Sequence, residues 1–386
     1  MSEVNLAASP AATVVAGFLI SADSPPQCTV YHGVLTPIEL DARSREIEAL
    51  ISHSAVHDRG WLRRIAVRGK DRFRWLSGMV TNMVKDLEPN GGAWNLVLTA
   101  QGRIEGDLTV WRDNDDLELE IAADQADKLL AHLDHFIIMD DVEMIPVEDV
   151  TSIGVAGPKA GEILGRLGLP ALSDPMTQTR AQWTGCPRSG FSDLGDQVRS
   201  SADLAGPPIL IRRGYSAIFA DDYTISIAAK QAGDLWQALV DSGAKPVGTA
   251  ALESFRIAQG IPTYGVDMVE RDLPQETSQL RALHFNKGCY LGQEIVERIR
   301  SRGSVHRHLR QFELAGPLAQ PGAKLTVDGA EAGHITSAAE LPLATGTRMF
   351  AIGMVRTEAE ARNLPFDYAS GEAIGAARIL TAPPSL

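Results

Sequence analysis

The spacing of apolar and polar residues divides the chain into short helices and strands. "DARSREIEALISHSAVH" (41–57) sets Ile47, Leu50 and Ile51 at helical spacing and predicts an amphipathic helix. "LRRIAVRG" (62–69) alternates apolar and charged residues as a half-buried strand does, with Gly69 at its end. "KDRFRWLSGMVTNMVKDL" (70–87) puts Phe73, Leu76, Met79, Val80 and Met83 on one helical face. After an Asn-Gly-Gly turn signal at 90–92, residues 93–123 read as three strands, turning at Gln101-Gly102 and Asn114-Asp115. A helix over 123–137 follows, with Leu129, Leu130 and Leu133 apolar, then a strand over 142–149.

The middle of the chain repeats this mixture. A strand and turn at 152–158 precede a helix at 159–168. Residues 170–208 are polar and rich in Gly, Pro and Ser, which predicts a long surface excursion. Strand-like 209–220, a strand and helix over 225–243 and a short helix over 248–260 come next, the last stopped by Gly260. From about residue 301 the pattern changes to brief alternations between Gly- and Pro-rich turns, such as "RQFELAGP" and "RMFAIGMVR". That is the mark of a small β-barrel or sandwich. The predicted class is α+β with an all-β tail.

Composition narrows the classes of function. The 386 residues suffice for two or three domains, and 44% hydrophobic content supplies real cores. A net charge of −13 argues against generic nucleic-acid binding. Cys28, Cys186 and Cys289 stand too far apart in sequence for a disulfide framework or a standard zinc site, so no metal site is expected. Free thiols suit a reducing cytoplasm. "AATVVAGFLI" (11–20) is apolar but short and lacks a basic lead, so the first 25 or so residues read as a flexible leader. No apolar run approaches bilayer length, and no membrane association is expected.

Three stretches could carry chemistry. In "FNKGCYLGQE" (285–294), Cys289 lies two residues after Lys287 and just before a helix expected to open at Gln293. A lysine and a helix N-terminus both favour a thiolate. The other reading is a small residue in a tight turn. Downstream, Arg298, Arg300, Arg302, Arg307 and Arg310 accumulate without an acid, which suggests an anionic ligand or partner, or else a solvated face. In "TAQGRIEGDLTVW" (99–111), Asp107 interrupts an apolar strand and Glu105 shares its face. Such carboxylates can share a proton, or simply be paired or face solvent. In "ALESFRIAQGIPTYGVDM" (251–268) with "LPQET" (273–277), Glu253, Arg256, Asp267 and Glu276 sit among turn formers. They suit a ligand-facing wall or ordinary caps and ion pairs.

Together these segments resemble a known family. "KGCYLGQE" (287–294) looks like the signature of the YgfZ-type folate-binding proteins, a branch of the glycine-cleavage T-protein (aminomethyltransferase) superfamily. "RGKDRFRWLSGMVTNMV" (68–84), "TAQGRIEGDL" (99–108), "LESFRIAQGIPTYGVDM" (252–268), "LPQE" (273–276), "RSRGSVHRHLR" (300–310) and "AGHITSAA" (332–339) resemble the family's other segments, in order. The match spans roughly 60–360; the leader (1–50) and 170–208 lie outside it.

The resemblance implies three domains around a central cavity that holds tetrahydrofolate. The first α+β domain would take 1–65 and 148–245, the second 66–147 and 246–300, and the barrel 301–386. Asn82, Asp107, Glu253, Arg256 and Tyr290 would bind the cofactor. Cys289 would be the functional thiol, Lys287 its electrostatic partner, and Asp107 the central carboxylate. Aminomethyltransferases carry an aspartate pair on the strand matching 104–108; here Gly106 replaces one member. The implied role is a folate-dependent factor, using folate or its polyglutamylated form, that supports iron–sulfur cluster assembly or repair. Its partners would be iron–sulfur client or assembly proteins, with links to tRNA modification through such enzymes and no direct nucleic-acid contact. The alternatives are a transferase of the aminomethyltransferase kind and a non-catalytic folate-binding module.

Overall fold

The computed structural model describes residues 27–114, 116–183, 208–216, 221–303 and 305–386. The proposed leader over 1–25, Cys186 and most of the 170–208 excursion fall outside these residues. The chain divides into two compact units, one of 1–62 and 147–249 and one of 63–146 and 250–386.

The first unit is built on a six-stranded sheet. Its order is Thr177–Gln182, Pro208–Arg213, Asp222–Ala228, Val150–Ala156, Ala55–Asp58 and Lys245–Val247, with only the last pair parallel. Val56, Ile153, Val155, Ile211, Ile225 and the Ala232–Asp241 helix enclose its core. Two expectations change here. The helix expected over 41–57 ends at Ser52, because Ala55–Asp58 are drawn into the sheet as a buried strand. Within the expected 170–208 excursion, Thr177–Gln182 form the outer strand of this sheet, paired with Pro208–Arg213. Their polar alternation suits an edge more than a loop.

The second unit holds a five-stranded sheet and a barrel. The sheet runs Gly92–Leu98, Ile104–Asp113, Asp116–Ala122, Leu62–Arg68 and Glu143–Pro146. On Ile104–Asp113, residues Ile104, Gly106, Leu108 and Val110 are buried, while Glu105, Asp107 and Thr109 take the other, half-exposed face. This two-residue period places both carboxylates of the strand on one side. The helix Ala123–Asp134 covers the sheet with Ala126, Leu129 and Leu133.

The helix expected over 70–87 spans only Arg72–Met79. Val80 leaves it to bridge Val97, and the Thr81 hydroxyl donates to Ala282 O and accepts from Leu96 N–H. These long-range bonds outcompete the local helical spacing.

The C-terminal strands close into a barrel in the order Arg307–Ala315, Gly346–Arg356, Ala330–Leu343, Lys324–Val327, Phe366–Ser370 and Ala373–Ile379, the last pairing back with the first. Closure leaves no open sheet edge. Phe312 and Phe366 meet edge to face at 5.8 Å inside it, beside Leu325, Ile335 and Val355. The expected α+β class with a C-terminal barrel is thus observed. Among the described residues, no helix is long and apolar enough to cross a membrane.

Candidate functional site

Asp107 stands at the centre of a polar cluster on the sheet of the second unit. Its Oδ2 accepts from the Trp94 indole N–H at 2.8 Å, and its Oδ1 accepts from the Gln125 amide at 3.0 Å. The backbone N–H of Asp107 donates to Oε1 of the same glutamine at 3.0 Å. Gln125 belongs to the first turn of the Ala123–Asp134 helix and is buried. Bonds to an ionised group are stronger than neutral ones, so the carboxylate is set in one orientation.

Glu105 does not share a proton with Asp107 through a direct pair. It bonds Lys128 at 3.1 Å, and Lys128 also joins Glu270 and the Tyr264 hydroxyl. Burial disfavours the charge on Lys128, but Glu270, Glu105 and Tyr264 outweigh that effect and raise its pKa. Tyr264 is held protonated, first by its burial. The Arg281 guanidinium stacks on the Trp94 ring, 4.6 Å from its centre. Trp94, Tyr264 and Phe285 border an apolar cluster of Leu96, Leu98, Ile104, Leu283, Tyr290 and Val296. Sequence reading did not single out Trp94, Gln125, Lys128, Tyr264 or Arg281. The available signal was Gly106, whose missing side chain marks a close approach of another element.

The Cys289 loop has the opposite arrangement. Lys287 turns inward and is 8% exposed; its ammonium donates to Val80 O at 2.6 Å and Asn82 O at 2.7 Å. It also lies 5.1 Å from the centre of the Tyr290 ring. Burial pulls the Lys287 pKa down to about 8. Tyr290 is buried and its hydroxyl is pushed up to about 12, chiefly by that burial. Leu291 N–H donates to Gly78 O. Gly292 has φ 79° and starts the Gln293–Arg302 helix. A Cβ there would lie 2.6 Å from Thr99 O, and one on Gly102 would lie 2.7 Å from Ile295 Cβ. The "QGR" turn and the "LGQE" turn therefore touch backbone to backbone, which only glycine permits. Cys289 is exposed and carries no disulfide.

The remaining predicted residues are engaged within the protein. Asn82 donates its side-chain amide to Trp94 O and Arg281 O and accepts from Met83 N–H, while its own N–H donates to Asn95. Arg256 forks onto both oxygens of Glu253 at 2.9 and 2.8 Å and reaches Asp267 at 2.6 Å. The buried Asp267 also accepts from Ser337 at 2.6 Å and from Thr336, so this network ties the Thr249–Gln259 helix to a barrel strand.

The basic run after Cys289 is also answered, mostly by acids distant in sequence. Arg307 pairs with Asp272 and Glu276, Arg310 with Glu360, and Arg300 with Glu297. These three arginines form no open anion patch. Among the described residues, no group of three or more His, Cys, Asp or Glu side chains is placed to hold a metal ion.

Residues 28–185 match the model of the GCVT N-terminal domain. A chloroplastic protein of Arabidopsis thaliana with a provisional transferase name is 28% identical over 306 residues, covering 77% of this chain and 64% of that protein. This chain therefore spans less than two thirds of that relative. The aminomethyltransferase of Thermoanaerobacter pseudethanolicus is 24% identical over 315 residues, covering 80% of each protein. These matches support the aminomethyltransferase superfamily. The fold agrees: the crystal structure of glycine cleavage system aminomethyltransferase T from Bartonella henselae superposes with a TM-score of 0.81, covering 96% of both chains at 19% identity. The Asp107 cluster and the Cys289 loop are two distinct elements of the second unit, one built around a carboxylate and one presenting a thiol.

Proposed function

We propose that the chain binds tetrahydrofolate at Asp107 and acts as a YgfZ-type folate-dependent factor that supports iron–sulfur cluster assembly or repair. The observation that carries the folate reading is the Asp107 carboxylate fixed between the Trp94 indole and the Gln125 amide. The donor set fits the cofactor. A reduced pterin offers N–H donors and a flat ring, and here a fixed acceptor stands beside the aromatic side chains of Trp94 and Tyr264. Bound tetrahydrofolate supplies a carrier for one-carbon groups. Asp107 accepts an N–H of the pterin and holds or removes the proton of the reacting folate nitrogen. Asn82 and Tyr290 keep the surrounding wall in place, and the Glu253–Arg256 pair fixes the adjoining helix.

Cys289 is the thiol offered to the client, because its loop is pinned on both sides while the side chain stays exposed. A cluster needs several thiolates, so the others come from the client or an assembly protein. Calorimetric titration with mono- and polyglutamyl tetrahydrofolate tests the first half of the reading; no binding by the wild type rejects it. Complementation of a deletion strain with C289A tests the second half, which fails if cluster-dependent enzymes mature normally.

A second reading is aminomethyl transfer, favoured by the names of the bacterial relatives and by the central carboxylate of Asp107. It predicts methylenetetrahydrofolate and ammonia when the chain is combined with the other glycine-cleavage components. Absence of both products excludes it.

A further inference from the structure

We infer that Gln125 is a positioning residue for Asp107, and that Gly106 is the residue that admits it. The inference rests on the folate reading only for its consequence, since the clamp itself is visible without a ligand. One amide side chain meets both the main chain and the carboxylate of Asp107. Its Oε1 accepts the Asp107 N–H and its Nε2 donates to Oδ1, each at 3.0 Å. The Trp94 indole completes the grip at Oδ2. A carboxylate held at both oxygens and at its own backbone cannot leave its rotamer without breaking partly buried bonds.

Gly106 is what makes room. A Cβ at this position would lie 2.8 Å from Gln125 Oε1 and 2.8 and 2.9 Å from the Leu129 methyls. Contacts that short force the partner to move, and the partners here are the Gln125 amide of the clamp and the Leu129 side chain on the same helix. A side chain at position 106 would therefore press on the Gln125 amide that holds Asp107. Asp107 stands with the fixed donors of Trp94 and Gln125 at its two oxygens. The ionisable groups around it are Glu105 on its strand face, Lys128 on the Gln125 helix with Glu270 and Tyr264, and Arg281 across the Trp94 ring.

The test reads the Trp94 indole N–H by nuclear magnetic resonance, assigned with W94F, together with tetrahydrofolate affinity, in the full chain. Q125L is expected to shift the indole signal, to speed its exchange with solvent about tenfold and to weaken tetrahydrofolate about tenfold, the loss of one charge-assisted bond. Q125E keeps the shape and folds where Q125L does not. Its carboxyl donates to Asp107 only when protonated, so its indole signal and its affinity relative to wild type should recover as pH falls from 8 to 6. An unchanged indole signal in Q125L, or a pH-independent defect in Q125E, overturns the inference. If the wild type binds no tetrahydrofolate, the folate reading falls, while the indole signal still decides for or against the clamp.

Discussion

The strand around Asp107 and the loop around Cys289 solve opposite problems. On the strand, the reactive candidate is gripped: two side chains from two other elements hold its oxygens, and its face is half-buried. On the loop, the residues flanking the reactive candidate are the ones gripped. Lys287, Tyr290, Leu291 and Gly292 are each committed to the interior or to a neighbouring backbone, and Cys289 is left outside. A fixed acceptor suits a ligand that must be oriented. An exposed thiol on a pinned turn suits a partner that must reach it. Most residues of both motifs are therefore scaffold, and the chemistry is confined to one side chain in each.

The sharpest way to break this contrast is at Lys287. K287M removes the donor from two carbonyls and should cost about 3 kcal/mol in urea unfolding, the penalty for leaving buried acceptors unpaired. The pH dependence gives a second check. Burial lowers Lys287 from 10.5 to about 8, so between those values the unfolded chain holds a proton that the folded chain has released. Wild-type stability should therefore rise with pH across that window relative to K287M, which lacks the group. Equal slopes would show that Lys287 is not buried as described.

D107A addresses the other side. It should weaken tetrahydrofolate about 10- to 100-fold by calorimetry, with a smaller effect on the unfolding midpoint. A large stability loss with unchanged affinity would make Asp107 scaffold as well, and the contrast would vanish. G106A should cost about 1 kcal/mol through overpacking against Leu129. It should lower folate affinity too, because Gln125 must move; affinity equal to wild type would separate the glycine from the site. The smallest effect is expected for C289A. Its unfolding midpoint should shift by less than the equivalent of about 0.5 kcal/mol and its folate affinity should stay the same, while cluster maturation fails.

The order of elements was legible because each strand or helix declares itself through local spacing. The three strands over 93–123, the turn at Gln101-Gly102 and the change to a barrel near residue 301 all appear in the structure. The spacing misled where distant segments intervened. Residues 80–84 carry helical spacing, but Thr81 is claimed by Leu96 and Ala282. No acid lies within 298–310, yet Asp272 and Glu276 reach Arg307 and Glu360 reaches Arg310 through the fold. A count of charge along the chain cannot see such pairs.

What the sequence by itself determined is the chemistry on offer: a carboxylate in an apolar strand, a cysteine between glycines, and the periodicities that make one sheet face polar and close the last strands into a barrel. Those follow from side-chain type and from backbone geometry that repeats every two or 3.6 residues. Only the tertiary structure decided which of those groups are held and which are presented. Gln125 lies 18 residues from Asp107, and Lys287 lies more than 200 residues from the carbonyls it serves. Contacts over such separations leave no period in the chain. They exist because packing brings remote backbone and side chains within the three ångströms over which a hydrogen bond acts.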